Sequence, residues 1–124
     1  MADGALEVSL VAADRVVWSG EAREVLAKTS EGEIGILIGH APVMSSLVPG
    51  VVEIVTDEER IVAATEEGFL SVADDRVSIL SEDAFMADEI DAAAARAEVE
   101  RLSPEGDSIE LRRAEAKVRA AEKS

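Results

Sequence analysis

The sequence predicts an α+β chain: an N-terminal antiparallel β-sandwich, or flattened barrel, followed by a C-terminal α-helical hairpin. Three observations point to this. From Ala5 to Ser81 the chain is rich in Val, Ile, Leu and Thr, and turn signals recur roughly every 8 to 12 residues, an all-β cadence. After Asp83 the composition shifts to Ala, Glu and Arg, with few β-branched residues, as helices prefer. The length of 124 residues suits one domain with a small appendage. The expected units are residues 1–87 for the sandwich and 88–124 for the hairpin.

The first strand is the clearest, because Leu6, Val8, Leu10 and Ala12 alternate with Glu7, Ser9 and Val11, the period of a half-buried strand. Further strands are expected at Val16–Trp18, Arg23–Thr29, Glu33–Ile38, Val51–Thr56, Arg60–Thr65, Phe69–Ala73 and Val77–Leu80. Between them stand Ser19-Gly20, Glu31-Gly32, Pro49-Gly50, Asp57-Glu58, Glu67-Gly68 and Asp74-Asp75, turn pairs in which Gly supplies positive φ and Asp bonds its own backbone. Trp18, Phe69 and Phe85 lie in apolar patterning and are expected in the core. Three glycines within Gly32–Gly39 interrupt an aliphatic strand, which predicts a bulge or a close backbone approach.

In the tail, Asp88 is expected to cap a helix reaching Leu102, and Ser103-Pro104-Glu105-Gly106 to end it. Asp107, three residues before Glu110, opens a second helix reaching about Ala121. The apolar faces are thin: Ile90, Ala94 and Ala97 form one stripe with Val99 and Leu102 off it, and the second helix offers Leu111, Ala114, Val118 and Ala121. Docking such faces stabilises by only a few kcal/mol, on the order of the burial of four or five larger side chains. The hairpin is therefore able to undock.

Charge removes several function classes. Lys and Arg number 12 against 27 Asp and Glu, a formal charge of −15, which repels nucleic acid and anionic lipid alike. The charge is uneven: Met1–Ala87 holds 5 basic and 17 acidic residues, Ile109–Ser124 holds 5 basic and 3 acidic. There is no Cys, so neither disulfide nor thiolate metal site can form. The opening Met1-Ala2-Asp3-Gly4-Ala5 lacks the features of a secretory signal, and no run of 18 apolar residues occurs. A cytoplasmic chain that reaches a membrane only through a partner is expected.

Catalytic chemistry has no visible carrier. His40 is the sole His, Tyr is absent, and there is no G-x-S-x-G, Walker or dinucleotide loop. Glu58-Glu59, Glu66-Glu67 and Asp74-Asp75 could be imagined as acid–base pairs, but their places at hairpin turns read as solvated loops. No catalytic residue, metal or cofactor is assigned. A sugar- or peptide-binding sandwich remains an alternative, although one Trp and no Tyr offer few stacking platforms.

The stretch Gly32-Glu33-Ile34-Gly35-Ile36-Leu37, then Gly39-His40-Ala41-Pro42, Leu47 and Pro49-Gly50-Val51-Val52, resembles the ε-subunit family of bacterial F-type ATP synthases. Gly68-Phe69-Leu70-Ser71-Val72, Val77-Ser78-Ile79-Leu80, the early Trp18-Ser19-Gly20 and the Asp-capped tail extend the likeness over nearly the whole chain. It departs at Ile38, where the family usually carries Pro. The resemblance implies a noncatalytic rotor subunit, clamped between the γ shaft and the c-ring at the cytoplasmic face of the plasma membrane. The resemblance further implies that such a subunit couples proton translocation to ATP synthesis.

By the same resemblance, Glu33 and His40 are contacts to γ and the c-ring, with Gly32, Gly35 and Gly39 allowing close approach. The other readings are an exposed strand carboxylate for Glu33 and a surface turn for His40. The tail is implied to switch between a folded state and one extended along γ to the catalytic α/β head, where it impedes hydrolysis. Some family members hold ATP through an Ile/Leu-Asp-x-x-Arg-Ala start. Ile90 and Asp91 match it, but Ala94 replaces the Arg, so little or no nucleotide binding is expected. A free nucleotide sensor is the remaining alternative.

Overall fold

A computed structural model describes residues 4–123; the expected termini at Met1–Asp3 and Ser124 lie outside these residues. Ten strands run β1 Leu6–Ala12, β2 Arg15–Ala22, β3 Glu24–Thr29, β4 Gly32–Leu37, β5 Val43–Leu47, β6 Gly50–Val55, β7 Arg60–Thr65, β8 Gly68–Ala73, β9 Arg76–Ser81 and β10 Ala84–Met86. Two helices follow, α1 Ala92–Leu102 and α2 Ile109–Lys123. The strands form one wrapped sheet in the order β10-β7-β6-β3-β5-β8-β9-β1-β2, with β4 branching from β3. Neighbours are antiparallel except β1 and β9, which pair in parallel. Arg15 at the start of β2 closes the seam to β10, donating to the Ala84 carbonyl at 2.5 Å and to Asp83 at 3.2 Å.

The alternation read in β1 holds: Leu6, Val8, Leu10 and Ala12 are buried, and the first three share one core with Val25, Ile36, Ile54, Leu70, Val72, Val77 and Ile79. The strand β7 is buried on both faces. Ile61 and Ala63 enter the sandwich core, whereas Val62 and Ala64 form a second cluster with Ala87, Ala116 and Ala120 beneath α2. An almost continuously apolar strand is what burial on both sides requires. Gly68 is fixed by packing, since a Cβ there would stand 1.8 Å from the Leu80 carbonyl oxygen.

Several expectations are corrected. Ser19-Gly20 is no turn: both lie inside β2, paired with Ser9 and Val8, and Gly20 instead makes room for Trp18, whose ring would meet its Cβ at 3.0 Å. The glycine-rich β4 has no bulge, pairing β3 in unbroken register from Thr29↔Gly32 to Glu24↔Leu37. Gly32 and Gly39 serve positive φ at the turns flanking it. Phe69 is 56% exposed, because parity turns Leu70 and Val72 inward. The strands β5 and β10 form in addition to those expected.

In the tail, Ala87–Glu89 make a 3-10 turn that buries Ala87, and the helix is delayed until Asp91 rather than Asp88 caps it, accepting the Ala94 N–H at 3.1 Å. Ser108 rather than Asp107 caps α2, its hydroxyl accepting the Leu111 N–H at 3.1 Å. Asp107 is engaged by Arg112. On α1 the inward residue is Ala95, with Val99 and Leu102 half-buried, while Ala94 and Ala97 are exposed. The expected stripe is thus rotated by about one residue, or 100°. The α2 helix needs two faces: Leu111 and Ala114 are buried on one, and Ala116 and Ala120 under the sandwich on the other.

Candidate functional site: the β4 ends, an apolar face and a docked hairpin

The candidate partner-binding residues lie at opposite ends of β4. Gly32 and Glu33 are at one end and Gly39 and His40 at the other, separated by about 20 Å of extended chain. Glu33 is exposed and stands opposite Lys28 on β3. Gly35, midway, is exposed and its Cβ position makes only an ordinary contact with Leu26. His40 is half-buried and its Nδ1–H donates to the Ala41 carbonyl at 2.7 Å. The Gly39 N–H is held by Asp75 Oδ1 at 2.7 Å. Leu37 and Ile38 stay exposed at this end.

The sheet also carries an exposed apolar face that the sequence does not announce. Val16, Met44, Phe69 and Leu80 each leave more than half of their surface to solvent. Pairing lines them up: Val16 faces Val11, Val11 faces Leu80, Leu80 faces Phe69, and Met44 sits on the next strand. The row crosses β2, β1, β9, β8 and β5, whereas α2 packs on β6 and β7. Strand parity carried the signal, since Leu70, Val72, Val77 and Ile79 face the core and so turn Phe69 and Leu80 outward.

The hairpin is docked by small residues and ion pairs. Arg113 makes a fork to Glu67, at 2.9 and 2.7 Å, and reaches Glu66 at 3.6 Å. Lys123 meets Glu53 at 3.3 Å, and Glu53 is also bound by Arg60. Lys117 Nζ lies 4.2 Å from the Phe85 ring centroid. The bond from Arg113 holds the Glu67 carboxyl below its ordinary range. Burial, against the pull of Arg113, pushes Glu66 up. The Glu66-Glu67 turn is therefore not merely solvated: it is the anchor for α2.

Between hairpin and sandwich lies a cleft of ≈ 390 Å³ lined by Glu66, Glu89, Ile90, Asp91, Ala94, Glu98, Glu110, Arg113 and Lys117 among others. Ile90 and Asp91 do meet there. Five carboxylates against two cations make it a poor host for a polyphosphate, and Arg113 is already committed to Glu67. Arg96 faces elsewhere, toward Glu122 at 3.8 Å. Among the described residues no group of three or more His, Cys, Asp or Glu could hold a metal ion, and no helix is long and apolar enough to cross a membrane.

Residues 5–87 match the family model of the ATP synthase delta/epsilon chain β-sandwich domain. The ATP synthase epsilon chain of Streptomyces avermitilis is 52% identical over 116 residues, covering 93% of this chain and 94% of that one. The chain belongs to the ATP synthase delta/epsilon family. The epsilon chain of Rhodococcus opacus is 48% identical over 122 residues, covering 96% of this chain and 98% of its own.

Among solved structures, a chain in the Euglena gracilis mitochondrial ATP synthase assembly of OSCP, F1 and c-ring is similar at a TM-score of 0.67 and 25% identity. That match covers 97% of this chain and 79% of that one. A chain of the Tetrahymena thermophila central stalk and c-ring shares the fold at a TM-score of 0.60. The chain joins a β-sandwich to a helical hairpin, and the apolar row and the hairpin dock are two surfaces it could offer a partner.

Proposed function

We propose that the chain is a noncatalytic rotor subunit of a proton-translocating ATP synthase, with residues 1–87 joining the γ shaft to the c-ring and residues 88–124 acting as a regulatory hairpin. Its family and its relatives' names support the placement in the complex. The observation that carries the mechanism is the dock of α2: alanine contacts at Ala116 and Ala120 and a few ion pairs. Such a dock leaves a small free-energy gap, which a partner of modest differential affinity can overcome.

The sandwich transmits torque as a rigid body, because its core is continuous and closed at the seam by Arg15. The row of Val16, Met44, Phe69 and Leu80 is the surface that γ covers, since apolar side chains aligned on one face of a sheet gain most from burial against a partner. The two ends of β4, with Glu33 and His40, meet different partner segments. The hairpin, once released, presents the basic residues of α2 to acidic groups of the α/β head. Membrane association at the cytoplasmic face runs through the complex.

The test is recovery of the partners. Tagged chain expressed in its own cells and purified from detergent-solubilised membranes is expected to bring down α, β, γ and c subunits. Recovery of none of them contradicts the assignment.

A further inference from the structure

The β8–β9 hairpin closes through Asp74 and Asp75, at φ 52° and 61°, between the paired Ala73 and Arg76. A two-residue loop with both central residues at positive φ favours Asn-Gly or Asp-Gly. An aspartate in the second place keeps a backbone cost that glycine would remove. Asp75 gains reach in exchange. Its carbonyl oxygen accepts the Glu7 N–H at 2.9 Å, as any residue's could. Its side chain crosses to a different loop and accepts the Gly39 N–H at 2.7 Å, a charge-assisted bond.

The loop it reaches is the turn Leu37–His40. The Leu37 carbonyl accepts the His40 N–H at 3.1 Å, and Gly39 stands at φ 84°. Among the described residues only Asp74 and Asp75 are non-glycines at positive φ, so Ile38 lies at negative φ and the turn is of type II. That type requires Gly in its third place and is stiffened by Pro in its second. Ile38 fills the second place with no ring to fix φ, and it leaves its side chain exposed beside that of Leu37. The Asp75 carboxylate adds a hold from outside the turn.

We infer that Asp75 is a positioning residue for this turn: its carboxylate, carried on a strained hairpin, fixes the orientation in which Leu37, Ile38 and His40 meet the γ subunit. This rests on the reading of the β4 end as a partner-facing surface. It predicts that substitution at Asp75 weakens binding without a matching loss of stability, which a merely structural residue cannot produce.

The test compares the full chain with Asp75→Gly and Asp75→Asn by three measurements: melting temperature, Gly39 amide exchange by NMR, and calorimetric affinity for purified γ subunit. D75G is expected to melt at or above the wild-type temperature, because strain is relieved. Its Gly39 amide is expected to exchange about tenfold faster, and γ to bind about three- to tenfold more weakly, the worth of one hydrogen bond. Asn tolerates positive φ and keeps an Oδ1 acceptor, so D75N is expected within about twofold of wild type.

Wild-type affinity in D75G despite a freed Gly39 amide overturns the inference, as does a D75N that behaves like D75G. An affinity loss in D75G that follows a lowered melting temperature overturns it too. Failure of the wild-type chain to bind γ overturns instead the parent reading. The Gly39 exchange, measured on the free chain, then decides the clamp by itself, and unchanged exchange in D75G overturns it.

Discussion

Phe69 and Leu80 face each other across β8 and β9 on the solvent side of the sheet, so polar replacements there remove apolar contact surface without opening the core. Phe69→Ser is expected to weaken association with γ by about tenfold or more, by the burial of one large apolar side chain, while the melting temperature stays within a few degrees of wild type. Calorimetric titration with γ and a thermal melt check both. Ala94 gives a second prediction at this scale. Calorimetry with free and Mg-bound ATP is expected to show no saturable binding tighter than about 0.1 mM, or −5.5 kcal/mol, because the cleft beside Ile90 and Asp91 holds five carboxylates and its Arg113 is occupied.

At the scale of the element, α2 is held by the Arg113 fork and by two alanines with no exposed surface. Ala120→Leu overpacks that contact, at a cost of about 1–3 kcal/mol, and is expected to release α2 from β6 and β7 while leaving the sandwich folded. Faster hydrogen exchange confined to α1 and α2 would show it. The two glutamates of the anchor act oppositely with pH. Glu67 has its pKa lowered when docked, so its contribution is present above the ordinary carboxyl value and is lost as pH falls through the lowered one. Glu66 has its pKa raised by burial, so its ionised form opposes docking and that cost disappears as pH falls through the raised value.

Acidification from neutral is therefore expected first to tighten the hairpin, as Glu66 takes a proton, and then to loosen it as Glu67 does. Amide exchange of α2 measured from pH 7 to pH 3 checks this order. E66Q is expected to abolish the tightening phase, and E67Q to speed α2 exchange about two- to fivefold at pH 7, the worth of a partly exposed ion pair. The helices themselves were legible from composition, but their facing was not. A stripe read from Ile90, Ala94 and Ala97 misses that α1 starts only after Asp91, and that α2 must satisfy both α1 and β7. The anchor was hidden for a related reason: Glu66 and Glu67 look like any charged turn until the fold brings Arg113 to them from 46 residues away.

In the whole molecule, the strands with strict alternation or an unbroken apolar run, β1 and β7, could be read directly. The short β5 and β10 could not, because Val43–Leu47 carries Ser45-Ser46 and Ala84–Met86 has too few residues to show a period. Most core residues come from β1, β3, β6, β8 and β9, so the sandwich is expected to fold without the hairpin. A chain ending at Ala87 exposes Val62 and Ala64 and is expected to melt cooperatively, a few degrees below the full chain.

That truncation also gives the most direct test of the account. Complex depleted of this subunit is reconstituted with either the full chain or residues 1–87, and proton-driven ATP synthesis is measured beside ATP hydrolysis. Both chains are expected to restore synthesis, and only the full chain to restrain hydrolysis. Failure of both to restore synthesis, or equal hydrolysis with the two, would contradict the division into a coupling sandwich and a regulatory hairpin.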